Sequence, residues 1–271
     1  MIEEYINLIC SKLEQEKTNI QAEYNKKNTN QNTKFVAIDN LLPAELALEI
    51  YNAFPKNPEN WRLMDSFREK KFTSKQFDNM PSILKDITFA LQDQRIINIV
   101  EKITGLQSQE ADPTLYAGGL SMMTKQHFLQ PHIDNSHDGQ RKVYRRLNLL
   151  YYVTPNWSIE NGGNLELWDD KVKDYDLIES KFNRLVLMET NSKSWHSVDA
   201  VNTVRPRCCV SNYYFSKESP TGQDYFHITS FMARPDQQIQ RFWCGIDNFI
   251  RSNLRMFVRN GLGKKDVYIK K

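Results

Sequence analysis

RRLNLLYYV, residues 145–153, reads as a β-strand, and four further runs of the same kind lie on either side of it. TLYAGGLSMM (114–123) precedes it, and NLELW (164–168), RLVLME (184–189) and RCCVSNYYF (207–215) follow, each short and set off by turn-forming residues. No helical period intervenes. Strands of this length at this spacing suit a jelly roll, the double-stranded β-helix, rather than a parallel doubly wound sheet.

Helical patterns flank this block. At the N-terminus Ile2, Tyr5, Ile6, Ile9, Cys10 and Leu13 recur at helical spacing, so the segment reads as an amphipathic helix that docks on something. A polar run from Glu23 to Lys34 reads as a linker, FVAID (35–39) as a short strand, and Leu41 onward, with Pro43 near its first turn, as a helix. Residues 81–104 read as one helical region with Ile83, Leu84, Ile87, Leu91, Ile97, Val100 and Ile103 on its apolar side. Residues 56–80, with Trp61, Arg62, Arg68, Lys70 and Lys71, read as a solvated loop, the pocket rim being the alternative. Beyond Ser216 a loop leads to an apolar stripe, Ile239, Phe242, Trp243, Ile246, Phe249, Ile250, Leu254 and Phe257, while Arg251, Arg255 and Arg259 recur every four residues on another face. The class is therefore α+β. The expected division is an N-terminal helix and linker (1–34), a jelly-roll domain with supporting helices (35–216), and a basic helical extension (217–271).

Composition sets outer bounds. A chain of 271 residues, 40% hydrophobic and 25% charged, can bury a substantial core without staples and has ordinary globular character. No stretch approaches the eighteen or so apolar residues of a membrane span, and MIEEYINLICSKLEQEK carries acids where a signal peptide carries an apolar run, so a cytoplasmic home is expected. Cys10, Cys208, Cys209 and Cys244 show no CxxC spacing and read as reduced thiols, with Cys208 and Cys209 on opposite faces of a strand. The net charge of +3 conceals a basic tail: from Met232 onward nine Lys and Arg stand against three Asp. Such a patch suits nucleic acid, an anionic glycan or an acidic partner, but a solvated helix face is the commoner meaning, and nucleic acid is disfavoured. The same helix is a candidate interface, with oligomeric state left open.

The chemistry centres on few residues. Histidine occurs only at 127, 132, 137, 196 and 227. In PHIDN, His132 and Asp134 stand two apart, and on an extended strand such residues face one side, where both reach one ion. A third ligand from a distant strand completes one face of an octahedron and leaves open positions, the arrangement of Fe(II) oxygenases. His196, in SKSWHSV, is the natural candidate. An isolated HxD is weak evidence and arises often by chance. Arg207, eleven residues further on, opens a strand and carries a planar fork suited to a carboxylate; Arg205 competes with it but precedes the strand. Gly162 and Gly163 read as a tight turn ahead of NLELW.

Taken in order, YAGGL, PHIDN, LLYYVTPNW, GGNLELW, KFNRLVL, WHSV and the arginine-led strand at 207 resemble the prolyl-hydroxylase-like branch of the 2-oxoglutarate/Fe(II)-dependent dioxygenases. The resemblance covers about a hundred residues, from Tyr116 to Phe215, and FVAIDNLLP with its helix is similar to the lead-in of that fold. It implies His132, Asp134 and His196 as metal ligands, and Arg207 with Tyr152 as the hold on the distal carboxylate of 2-oxoglutarate. Asn148 shares the strand face of Tyr152 and is a further co-substrate contact, a neighbour-satisfied amide being the equal alternative. It implies Fe(II), 2-oxoglutarate and O2, with ascorbate as an accessory, and hydroxylation of an organic substrate that is a protein side chain or a small molecule or glycan. Two departures stand out. Many relatives carry a co-substrate tyrosine about ten residues before the first ligand, where this chain has Met122 and Met123, and the His-to-Arg interval is longer than in some relatives. Asp134 disfavours the halogenating variant. The rival reading is a noncatalytic jelly-roll module that binds a partner through its basic C-terminal helix.

Overall fold

The computed structural model describes residues 1–26, 33–75, 77–116 and 118–257. In chain order the elements are α1 (Ile2–Asn25), β1 (Phe35–Asp39), α2 (Ala44–Asn52), β2 (Arg62–Asp65), β3 (Glu69–Thr73), α3 (Ser82–Ala90), α4 (Gln94–Thr104), β4 (Glu110–Ala111), β5 (Gly119–Met123), β6 (Phe128–Ile133), β7 (Tyr144–Tyr152), β8 (Leu165–Trp168), β9 (Tyr175–Ile178), β10 (Arg184–Glu189), β11 (His196–Val198), β12 (Arg207–Ser216), β13 (Ser230–Phe231) and α5 (Gln238–Phe257). Neighbours pair antiparallel in the order β1-β10-β7-β12-β5-β3-β6-β11-β8-β9, with β2 on β3, β4 on β12 and β13 on β6.

Alternation along β7 and β12 sorts the core into two sides. Leu147, Leu149, Tyr151, Cys208, Val210 and Tyr214 join the large cluster formed with α1, α3 and α4. Tyr152 and Cys209 turn the other way and meet Leu165, Leu167 and Ile178 of β8 and β9 as well as Val186 and Met188 of β10. Strands far apart in the pairing order thus share one interior, so the sheet curls into a nearly closed jelly-roll barrel. The adjacent cysteines fall on opposite faces as expected, and all four thiols are free.

The helices brace the outside. Tyr5, Ile9 and Leu13 of α1 are fully buried against this wall, so the N-terminal helix belongs to the main core. The region 81–104 is two helices, because the Asp93 side chain accepts from the Arg95 backbone N–H and starts a new helix after Ala90. Helix α4 ends at Gly105, whose φ of 75° is the left-handed conformation that suits glycine at this position. The helix expected to begin at Leu41 starts at Ala44, and part of the polar run, residues 27–32, lies outside the described residues. Within 56–80 the chain forms the β2–β3 hairpin, and β3 bridges β5 and β6 inside the barrel wall rather than lying as a solvated loop. The extension past Ser216 returns to the barrel, where Ser230 and Phe231 pair with Ile133 and His132. No helix among the described residues is long and apolar enough to cross a membrane.

Candidate metal centre and co-substrate pocket

Register brings the two candidate histidines together. His196 opens β11 directly opposite His132 on β6, with ring centroids 4.1 Å apart. Asp134 follows the end of β6, and one ligand atom from each of the three residues lies within 4.8 Å of the others. The imidazole Nε2 atoms of His132 and His196 each sit 3.6 Å from an oxygen of Asp134.

The far side of each ring fixes its tautomer. His132 Nδ1 lies 3.0 Å from the Gln130 carbonyl and His196 Nδ1 lies 2.9 Å from the Ser194 carbonyl. A carbonyl oxygen only accepts, so each Nδ1 carries the proton and each Nε2 presents a lone pair toward Asp134. Burial first, and then the neighbouring His132 imidazole, push the His196 pKa down to about 4, which keeps its imidazole neutral. Burial works to raise the Asp134 pKa, but Arg145, His132 and His196 outweigh it and hold the carboxylate well below its usual range. Two neutral imidazole nitrogens and one carboxylate, all convergent, are a donor set that fits Fe(II).

Arg145 is a site residue that the sequence reading missed. Its side chain is 1% exposed, its Nη1 stands 3.1 Å from Asp134, and its guanidinium lies 4.0 Å above the Tyr213 ring. Strict alternation from Asn148, Leu150 and Tyr152 points Arg146 inward instead. A register shift between β12 and β7 at Tyr214/Phe215 breaks the alternation and turns Arg145 toward the site, a local re-aiming that bulges produce. Nothing short of that bulge would have selected Arg145 over its neighbour. Asn148 donates to Asp134 over 2.8 Å, and its own carbonyl oxygen is buried without a partner. Phe231, from the returning extension, stacks on His132 at 5.3 Å.

A second polar group lies deeper in the barrel. Arg207 is 4% exposed; its Nε donates to Ser180 Oγ at 3.0 Å and its Nη1 meets the Met123 sulfur at 3.3 Å. Among the described residues no carboxylate forms an ion pair with it. Its guanidinium carbon stands 4.7 Å from the centroid of Tyr152, whose buried hydroxyl lies beside Arg207 and Ser180 without a well-formed hydrogen bond among the described residues. Burial pushes the Tyr152 pKa up to about 12, with Arg207 acting in the opposite sense, so the hydroxyl stays a donor. A buried cation without a counter-charge beside an idle O–H donor fits a dicarboxylate's far end. Arg205 lies in the preceding loop, bonded to the Asn156 carbonyl and packed against Trp157. The glycine turn has a second meaning here: a Cβ on Gly163, whose φ is +70°, would stand 2.7 Å from Arg207 Cδ.

A jelly roll with two histidines and one carboxylate convergent on paired strands defines the class of two-His-one-carboxylate β-helix proteins. Within that class, residues 118–215 match the 2OG-Fe(II) oxygenase superfamily, and this stretch spans the three candidate ligands and Arg207. A prolyl 3-hydroxylase, OGFOD1 of Xenopus laevis, is 30% identical over 108 residues, which are 36% of this chain and 21% of that protein. The chain thus spans about a fifth of that relative's length. Among solved structures, a Pseudomonas putida prolyl-4-hydroxylase superposes with a TM-score of 0.53 at 14% identity, over 73% of this chain and 98% of the other. A Trichoplax adhaerens prolyl hydroxylase, solved with a hypoxia-inducible-factor peptide fragment, gives 0.51 at 17% identity, over 79% and 96%. At such identities the structural likeness establishes the fold. The prolyl-hydroxylase-like resemblance read from the sequence is thereby borne out.

Proposed function

We propose that this chain is an Fe(II)- and 2-oxoglutarate-dependent dioxygenase that hydroxylates an organic substrate and releases succinate and CO2. The observation that carries the reading is the buried Arg207 guanidinium, which lacks a carboxylate partner among the described residues and shares its barrel with the convergent triad. A metal site alone would leave that charge unexplained. In this reading His132, Asp134 and His196 hold the metal, Arg207 and Tyr152 hold the distal carboxylate of 2-oxoglutarate, and Asn148 offers its unpaired oxygen to the same pocket or to substrate. Met123, whose sulfur lies on Arg207, stands where many relatives place a co-substrate tyrosine.

When bound, Fe(II) with 2-oxoglutarate and O2 would supply the oxidising power that inserts oxygen into a C–H bond. The chain's own part is positional. The Gln130 and Ser194 carbonyls orient both imidazoles, and Arg145 and Asn148 hold Asp134 ionised and fixed in rotation. Tyr213 and Phe231 wall the space beside the triad and exclude water. The prolyl hydroxylases among the relatives favour a protein side chain over a glycan or lipid as the substrate. Residues 35–216 form the catalytic domain in this scheme, with α1 and the described part of the extension, 217–257, bracing it, and four free thiols suit the cytoplasm.

The test is anaerobic protein charged with Fe(II) and 2-oxoglutarate, then exposed to O2 with succinate followed by mass spectrometry. Slow succinate formation is expected even without substrate. Failure to bind 2-oxoglutarate in calorimetry refutes the reading.

A further inference from the structure

Helix α5 sits on the barrel with its polar side. Asp247 accepts two hydrogen bonds from Arg68, Asn248 bonds the backbone of Phe231 in both directions, Arg241 donates to the carbonyls of Val172 and Ala233, and Cys244 is 1% exposed. The opposite side carries Ile239 (73% exposed), Phe242 (66%), Trp243 (56%), Ile246 (36%), Phe249 (71%) and Ile250 (51%). An amphipathic helix ordinarily buries such a face. At roughly 200 Å² for each large apolar side chain, these six expose about 700 Å². A patch of that size exceeds the roughly 300–600 Å² of the largest patch on a typical monomer.

We infer that this face is the interface of a homodimer, in which α5 of one copy lies antiparallel on α5 of another. Area is the first argument: two such faces bury about 1,400 Å², within the range of roughly 1,200–2,000 Å² that specific stable interfaces occupy. Self-complementarity is the second. A dyad through Ile246, the most recessed of the six, sets Trp243 of one copy against Phe249 of the other and Phe242 against Ile250. Large side chains then alternate around a shallow centre. Charge supplies the third argument, and it selects the orientation. Residues 252–271 hold six Lys and Arg against one Asp. An antiparallel pair of these 20-residue helices sets the C-terminal ends of the two α5 helices about 30 Å apart. That separation is several times the Debye length of about 8 Å at physiological salt. A parallel pair would bring the two C-terminal helix ends, and the positive charge that begins there, together.

The experiment uses the full chain in light scattering coupled to gel filtration and in sedimentation velocity, at micromolar concentration. The expected mass is twice 31.9 kDa. Phe242→Glu combined with Ile246→Glu should halve it while succinate formation at saturating Fe(II) and the thermal transition of the barrel stay in place. A monomeric wild type, or a double variant that keeps the doubled mass, overturns the inference. A monomer that co-sediments with phosphatidylserine–phosphatidylcholine vesicles also overturns it and assigns the face to a lipid surface. Oxidative cross-linking reads the orientation: Ile246→Cys should give a disulfide-linked dimer and Ile239→Cys should not. Self-linking at both positions refutes the antiparallel arrangement.

Discussion

Gly163→Ala offers a test of the co-substrate pocket that replaces none of its functional side chains. The new methyl group would stand 2.7 Å from Arg207 Cδ and 3.0 Å from Val201 Cγ2, on a residue whose φ is +70°. Left-handed backbone costs a non-glycine residue about 1–2 kcal/mol. At about 3 °C per kcal/mol for a chain of this size, the melting temperature should fall by roughly 3–6 °C. The clash acts on the middle of the arginine side chain, so relief requires the guanidinium to move away from Ser180 and Tyr152. Loss of one charge-assisted hydrogen bond is worth about 1.5–3 kcal/mol. At a factor of ten per 1.4 kcal/mol, 2-oxoglutarate binding should weaken about 10- to 100-fold. Calorimetry with Mn(II) in place of iron measures this without turnover, and Mn(II) affinity itself should be unchanged because the triad is untouched. Gly162→Ala is the control: its methyl group would meet the Ala200 carbonyl oxygen rather than Arg207, so it should destabilise the fold more. Wild-type 2-oxoglutarate affinity in Gly163→Ala, with the melting temperature lowered as expected, would refute Arg207 as the anchor.

Further outcomes follow from the same geometry. His132→Ala should abolish Mn(II) binding measured by calorimetry, since one of three ligands is lost from a buried site; retained affinity would place the metal elsewhere. Arg207→Ala should raise the 2-oxoglutarate concentration for half-maximal succinate formation at least tenfold, a size set by the charge-assisted bonds lost, and Arg205→Ala should leave it unchanged. The reverse pattern would mean that β12 is out of register. Glu166→Ala should cost about 3–5 kcal/mol, because it strands the partly buried Arg234, which donates to both Glu166 oxygens; hydrogen exchange across 230–244 should rise selectively. Uniform exchange along the chain would show that this ion pair does not anchor the extension.

The strands were legible because a half-buried strand writes its two faces alternately into the sequence. Leu147, Leu149 and Tyr151 against Asn148 and Tyr152 is such a record, and the two faces face helices and barrel interior in turn. The spacing of His132 and Asp134 was legible for the same reason. His196 was not fixed by local pattern, since only its cross-strand pairing with His132 brings it into range, and the ordered resemblance supplied that link. Arg145 was hidden because one irregular residue inverts the alternation that the reading depends on. The break at Asp93 was hidden because an unbroken apolar period ran through it, although the capping aspartate was there to be read.

The C-terminal extension shows a deeper limit. The stripe from Ile239 to Ile250 correctly marks an amphipathic helix, but periodicity says only that two faces differ, not which one the protein keeps for itself. Intuition assigns the apolar face to the core. In this fold the barrel surface beneath α5 offers Arg68 and the Phe231 backbone beside a small apolar contact of Phe231, Ala233 and Leu129 with Cys244, and it takes the face carrying Asp247 and Asn248. The same contact fixes Phe231, which stacks on His132. An event on the outer face of α5 is therefore two packed contacts from a candidate metal ligand, through Asn248 and Phe231. If the outer face pairs two copies, dissociation should loosen that wall of the site, and the metal affinity of the monomeric Phe242→Glu/Ile246→Glu variant should fall below that of the dimer by a factor of a few. Equal affinities would show that Phe231 holds its place through β13 alone.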